Sequence, residues 1–142
     1  MRLLKPSRRL AWLMALALAV AAYPAFVLLY TWSHVLQSPL PGGRHGPLDA
    51  YRHTLASAVV AYTLDPDAIR VVNGIMEGRG KRSNAMDIHN NLIGAGIGAR
   101  AARFADIEPM VVRRVAHGGV DATAPDRATW LPEREWQEGL AW

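Results

Sequence analysis

The chain has 142 residues, which is room for one small domain, and 51% of them are hydrophobic. Its net charge of +4 comes from the N-terminal part: from Asp49, the first acidic residue, 11 basic residues are matched by 12 acidic ones. This balance argues against a nucleic-acid-binding domain, which needs a basic patch on its folded surface. The absence of cysteine excludes disulfide and thiolate chemistry.

The N-terminal segment predicts a membrane anchor. Residues 1–9 form a basic tail, and residues 10–32 are uncharged and mostly apolar, long enough to span a hydrocarbon core as a helix. Trp12 and Trp32 stand near the two ends, where aromatic belts lie in membrane proteins. The basic tail predicts a cytoplasmic N-terminus. We therefore predict a signal anchor at 10–32 in a bacterial inner membrane, with the remainder of the chain in the periplasm.

A cleaved signal peptide is the alternative for the same segment. Ala19-Val20-Ala21 offers a small-residue cleavage site after an apolar stretch. The apolar run continues beyond this site through Leu29, which favours the uncleaved anchor. Under both interpretations the domain lies outside the cytoplasm.

The chain after the anchor predicts a linker, a helical domain and an irregular tail. Residues 33–47 are rich in proline and glycine and are typical of a linker, in which His34 and His45 would be solvated. Residues 120–142 form a tail with Trp130, Trp136 and Trp142, which would wrap over the domain or contact a partner protein in the membrane.

Residues 48–119 read as a bundle of about four helices. Apolar positions recur with helical spacing, and no alternating strand pattern is present, so the predicted fold class is all-α. The expected helices are residues 48–64, Pro66 to about Glu77, a start at Ser83 or Asp87 running to about Ala105, and a short helix from about Asp106 to Gly118.

Two motifs concentrate the polar chemistry. Asp49, Arg52 and His53 share one stripe of the first domain helix, where a carboxylate and an imidazole four residues apart can touch. The second motif supplies the other polar candidates: Asp87, His89, Asn90 and Asn91. Asp87 and His89 point about 200° apart on a regular helix, so they converge only if that helix starts later.

Glycines follow the second motif with a spacing that suggests close helix packing. Gly94, Gly96 and Gly98 imitate a dinucleotide-binding fingerprint, but that fingerprint works only in a turn between a strand and a helix. Asp87, Asn91, Gly94 and Gly98 instead share one helical stripe. We expect the glycines on this stripe to let a neighbouring helix approach closely.

The paired motifs resemble an uncharacterised bacterial domain family found in exported proteins and in polymorphic-toxin-like C-termini. The family pattern is D-A-aromatic-R-H followed by M-D-x-H-N-N-x-x-G, and it is matched at residues 49–53 and 86–94. The family often has a His-Glu pair between the motifs, where this chain has Met76-Glu77. The resemblance implies a shared helical fold and polar centre, and no particular reaction.

Two functions fit these patterns. The favoured one is a non-catalytic accessory or assembly subunit of a membrane or envelope complex, with the polar residues forming a buried structural network. The alternative is a membrane-tethered hydrolase-like domain in which Arg52, Asn90 and Asn91 position the substrate. The side chains that would converge there are Asp49, His53, Glu77, Asp87 and His89. They would serve either as a metal-free acid/base pair or as a metal site, in which His53, Glu77, Asp87 and His89 hold a divalent ion such as zinc.

Overall fold

The computed structural model describes residues 7–77 and 81–139, without the side chains of residues 75–77. Predictions that concern the Glu77 side chain and Trp142 therefore lie outside the described residues. The described elements, in chain order, are α1 (Arg8–Val35), α2 (Pro47–Thr63), α3 (Pro66–Glu77), α4 (Arg82–Arg100), α5 (Ile107–Ala116), β1 (Gly119–Val120) and β2 (Thr129–Trp130). The prediction of an all-α fold is confirmed, and the two strands form only a two-residue parallel pair.

The boundaries of α4 differ from the sequence prediction. The helix begins at Arg82 with Lys81 as its N-cap, so that Ser83 and Asp87 both lie inside it. No side chain forms a capping hydrogen bond at the N-terminus of α4. A capping residue in the sequence therefore could not mark where this helix begins. The helix also ends earlier than predicted, at Arg100, because Ala101 is extended and the chain turns into a 3-10 segment, Phe104–Asp106.

Helices α2 and α4 pack side by side and form the centre of the domain. Leu55 and Val59 of α2 and Ile97 of α4 are fully buried between them and their neighbours. Gly94 and Gly98 lie where the two backbones come closest. A Cβ atom at Gly94 would be 2.3 Å from the carbonyl oxygen of Thr54. The predicted role of the glycine stripe in close helix packing is thus confirmed.

Helix α1 has two different halves. Residues 8–22 are exposed along their whole length, whereas Val27, Thr31 and Val35 form a buried stripe against the domain. Because the buried positions recur every four residues, one face of the helix is committed to packing. The helix is long and apolar enough to cross a membrane.

The segment predicted as a linker is folded onto the domain. Helix α1 continues to Val35, and the side chain of Leu40 packs against the core. Arg44 pairs with Gln137 through two backbone hydrogen bonds of 3.1 and 3.2 Å. Residues 33–47 therefore hold the domain close to α1 instead of spacing it away.

The C-terminal tail wraps over the helices, one of the two arrangements expected from the sequence. The backbone N–H of Leu131 donates to the carbonyl of His45, and the Trp136 indole N–H donates to the carbonyl of Leu131. Trp130 is partly buried against the core. Both described tail tryptophans thus pack on their own domain, and their contact with a partner protein stays a prediction.

Candidate metal centre

Two carboxylates and one imidazole meet between α2 and α4. Asp49 and His53 come from α2 and Asp87 comes from α4, and one ligand atom of each lies within 4.8 Å of the others. We call these three residues the carboxylate–imidazole centre. Their side chains are 4%, 18% and 16% exposed, respectively, so the centre is largely withdrawn from water.

The N-terminal turn of α2 fixes Asp49. Its Oδ2 accepts the backbone N–H of His45 at 2.6 Å, just before the helix, and its Oδ1 accepts a hydrogen bond from the Arg52 guanidinium. This bond reaches past the N-cap, Gly46, and so ties the preceding turn to the helix. Arg52 also donates to the carbonyl of Gly43 at 3.4 Å. Asp49 is therefore held rigidly.

His53 is placed by helical geometry, and Asp87 by the packing of the two helices. His53 follows Asp49 by one helical turn and so lies directly beside it. On α4, the stripe of Asp87, Asn91, Gly94 and Gly98 faces α2 along its length. The close contact at the glycines brings Asp87 up to His53.

His45 also lies in this region, although the sequence analysis predicted that His45 would be solvated. Its Nδ1 is buried, lies 3.8 Å from Asp49 Oδ2 and has no hydrogen-bond partner among the described residues. Its backbone has a φ of 65°, a left-handed conformation that a residue other than glycine adopts rarely. The long-range hydrogen bond from Leu131 fixes this turn, and nothing local in the sequence signals it.

The carboxylates of the centre outnumber its permanent positive charges. Asp49 and Asp87 face one guanidinium, that of Arg52, and one imidazole, that of His53. Burial raises the pKa of Asp87 above its ordinary value of 3.8, and the nearby His53 offsets part of that rise. Asp87 Oδ1 is buried without a hydrogen-bond partner among the described residues. An ionised Asp87 is thus poorly compensated by protein groups alone.

This raised pKa predicts how an Asp87→Asn variant responds to pH. The folded state holds the Asp87 proton more tightly than the unfolded state does. Protonated Asp87 therefore stabilises the fold below its ordinary pKa, and this stabilisation is lost as pH rises through the pKa of the folded state. In metal-free protein we expect Asp87→Asn to be more stable than wild type at neutral pH, with the difference vanishing at acidic pH. Thermal unfolding of both proteins across pH measures this. A variant that is less stable at neutral pH would contradict it.

The distances in the centre are compatible with a metal site. His53 Nε2 lies 3.4 Å from Asp49 Oδ1 and also 3.4 Å from Asp87 Oδ1. Hydrogen bonds from nitrogen to oxygen are shorter, about 2.7–3.2 Å. Tetrahedral zinc sites with bonds of about 2.0–2.1 Å place neighbouring ligand atoms about 3.4 Å apart. Both distances from His53 Nε2 match this spacing, and all three ligand atoms lie within 4.8 Å of one another, so they could hold one metal ion.

His89 does not join the centre. Helix α4 starts at Arg82, so Asp87 and His89 lie within regular helix and point to opposite sides. The His89 Nε2 atom is 2.9 Å from the carbonyl oxygen of Arg127 in the tail. Asp87 and His89 could converge only if the helix started later than Arg82, and it does not. His89 therefore takes no part in the three-residue cluster.

Asn90 and Asn91 tie the fold together. The Asn90 carboxamide donates to the carbonyl of Thr129 at 2.8 Å and accepts its N–H at 2.9 Å, as a neighbouring strand would. Asn91 accepts from Ser57 of α2 and donates to Asn73 of α3, both at 2.9 Å. Both side chains are buried, so their polar groups serve contacts between elements.

The chain matches no protein-family model, and comparisons with curated proteins and with solved structures find no relative.

Proposed function

We propose that this chain is a membrane-anchored domain that binds a divalent metal ion at the carboxylate–imidazole centre and uses it in hydrolytic chemistry. The observation that carries the proposal is the placement of one imidazole nitrogen at 3.4 Å from each of two carboxylate oxygens. Two oxygen ligands and one nitrogen ligand suit zinc or manganese.

Three protein ligands are the number found in reactive zinc sites. Structural zinc sites close all four positions with protein atoms, whereas catalytic sites keep three protein ligands and a water molecule. The described residues offer three, and His45 is the nearest further imidazole to Asp49. A metal bound here would supply an activated water by lowering the pKa of that water to about 7.

The location of the domain belongs to the same proposal. The basic residues before α1 support a cytoplasmic N-terminus, and the exposed apolar half of α1 supports an uncleaved anchor in a bacterial inner membrane. The domain would then face the periplasm. The two-motif resemblance to exported bacterial domains agrees with this location, and membership of that family is part of the proposal.

A thermal-shift experiment on the full chain in detergent tests metal binding. After removal of metals with a chelator, zinc or manganese is added to wild type, His53→Ala and His89→Ala. An ion present at 100 times its Kd should stabilise wild type by about 2.7 kcal/mol. We expect this stabilisation to be lost in His53→Ala and kept in His89→Ala.

Asp87→Asn provides a second test if His53→Ala folds poorly. It preserves the shape of the side chain and removes one ligand charge, so we expect a folded protein with weakened metal stabilisation. Equal stabilisation of wild type and both ligand variants would contradict the proposed site, as would a lack of any effect on wild type.

A non-catalytic accessory subunit is the second function supported by a specific observation. Asn90 and Asn91 join α4 to the tail, α2 and α3 through buried hydrogen bonds, as expected of a network that fixes helix positions. If wild type shows no metal stabilisation and His53→Ala simply unfolds at a lower temperature, this function is favoured. The partner would then be another membrane protein.

A further inference from the structure

If α1 is a membrane anchor, as proposed above, the length of its exposed half determines how close the domain lies to the bilayer. Residues 10–22 are exposed and uncharged, and at about 1.5 Å per residue they extend roughly 20 Å. The hydrocarbon core of a bilayer is about 30 Å thick. About seven more residues of α1 must therefore lie at hydrocarbon depth, which reaches the region of Leu29.

At that depth α1 already contacts the domain. The Tyr23 hydroxyl is 2.7 Å from the Thr63 hydroxyl at the end of α2. The Phe26 ring lies 6.1 Å from that of Phe104, which in turn contacts Tyr62 at 5.8 Å. Farther along, Arg52 of α2 lies over the Trp32 ring, so the two helices run antiparallel with the Thr63 end nearest the membrane.

The surface at this end carries exposed apolar side chains as well as the exposed carboxylates of Asp65 and Asp67. Leu64 is 60% exposed, and Leu29, on the adjoining part of α1, is 72% exposed. Aromatic rings cluster beside them, as they do at the boundary between hydrocarbon and headgroups. Arg100 and Arg103 are exposed at the end of α4 and just after it, where long basic side chains can reach the headgroups.

We propose that the end of the domain formed by Tyr62, Leu64 and Phe104 is inserted into the interfacial layer of the bilayer and binds lipid directly. The proposal rests on α1 being a membrane anchor. The anchor then acts as a rigid mount, because residues 33–47 fold back on the domain and leave no spacer. The carboxylate–imidazole centre would be held about 15 Å farther along α2, the length of ten helical residues.

Site-directed spin labelling tests this placement, and the chain has no cysteine of its own to interfere. Single-cysteine variants Leu18→Cys, Leu64→Cys and Val120→Cys are made in the full chain, labelled with a nitroxide and reconstituted into phosphatidylcholine vesicles. Leu18 reports the middle of the span, and Val120 is an exposed position on the tail. Collision with oxygen and with a water-soluble nickel chelate gives the depth of each label.

We expect the label at residue 64 to be several-fold less accessible to nickel than the label at 120, and less deep than the label at 18. If the label at residue 64 is as accessible to nickel as the label at residue 120 while the label at residue 18 is buried in lipid, the proposed insertion is wrong. The membrane anchor would still be supported by that result. A label at 18 that is open to nickel would overturn the anchor itself and, with it, this inference.

Discussion

Replacing Gly94 by alanine is expected to destabilise the domain by about 3 kcal/mol, the upper end for an overpacked core. The new Cβ atom would lie 2.3 Å from the Thr54 carbonyl oxygen and 2.8 Å from the Ser57 Cβ atom. Neither is the end of a flexible side chain, so α2 and α4 must separate. Because Asp87 and His53 are brought together by the same helix contact, metal stabilisation should weaken as well.

Gly74 is the matched control for Gly94. It also lies within a helix, α3, and no atom of the described residues stands within 4 Å of a Cβ built there. Gly74→Ala should raise stability by about 0.5–1 kcal/mol, because alanine favours the helix more than glycine does. Denaturant unfolding in detergent compares the two variants. Equal stability of Gly94→Ala and Gly74→Ala would show that α2 and α4 do not approach as closely as described.

Replacing Asp49 by alanine is the second change with a large expected effect. The Arg52 side chain is 5% exposed and hydrogen-bonded to the Asp49 carboxylate. Removal of one partner from a buried ion pair costs about 3–5 kcal/mol, because the other charge stays buried. We expect metal-free Asp49→Ala to lose stability in this range, as measured by denaturant unfolding.

Two further variants separate this effect from a general loss of packing. Asp67 and Arg70 form an ion pair with the same i,i+3 spacing on α3, but both side chains are more than 70% exposed. Asp67→Ala should therefore cost less than about 1 kcal/mol. The double variant Asp49→Ala/Arg52→Met should recover part of the loss, because no buried charge remains. An Asp49→Ala protein as stable as Asp67→Ala would refute the buried pair.

The sequence predicted the parts of the fold that depend on periodicity. Apolar spacing located the helices, and helical geometry placed Asp49 beside His53 on one stripe. The stripe that carries Asp87 and Gly94 on α4 could also be predicted, since its small residues indicate contact with another helix. These features follow from local rules, which a single sequence contains.

Features that depend on distant residues could not be predicted in this way. The proline and glycine content of residues 33–47 is typical of a linker, yet the backbone pairing of Arg44 with Gln137 folds the segment onto the domain. The hydrogen bond from Leu131 to the carbonyl of His45 likewise holds His45 at the site. No capping side chain marks the start of α4 at Arg82. The sequence therefore did not indicate that Asp87 and His89 both lie inside the helix and point to opposite sides.

Cobalt titration of the metal-free full chain tests metal binding at the carboxylate–imidazole centre most directly. Co²⁺ occupies zinc sites, and its visible absorption reports a low-symmetry site with nitrogen and oxygen ligands. We expect saturation at one equivalent in wild type and in His117→Ala, whose exposed imidazole lies beside the Arg113 carbonyl, and loss of the signal in His53→Ala. A wild-type protein that shows no saturable absorption would contradict the account.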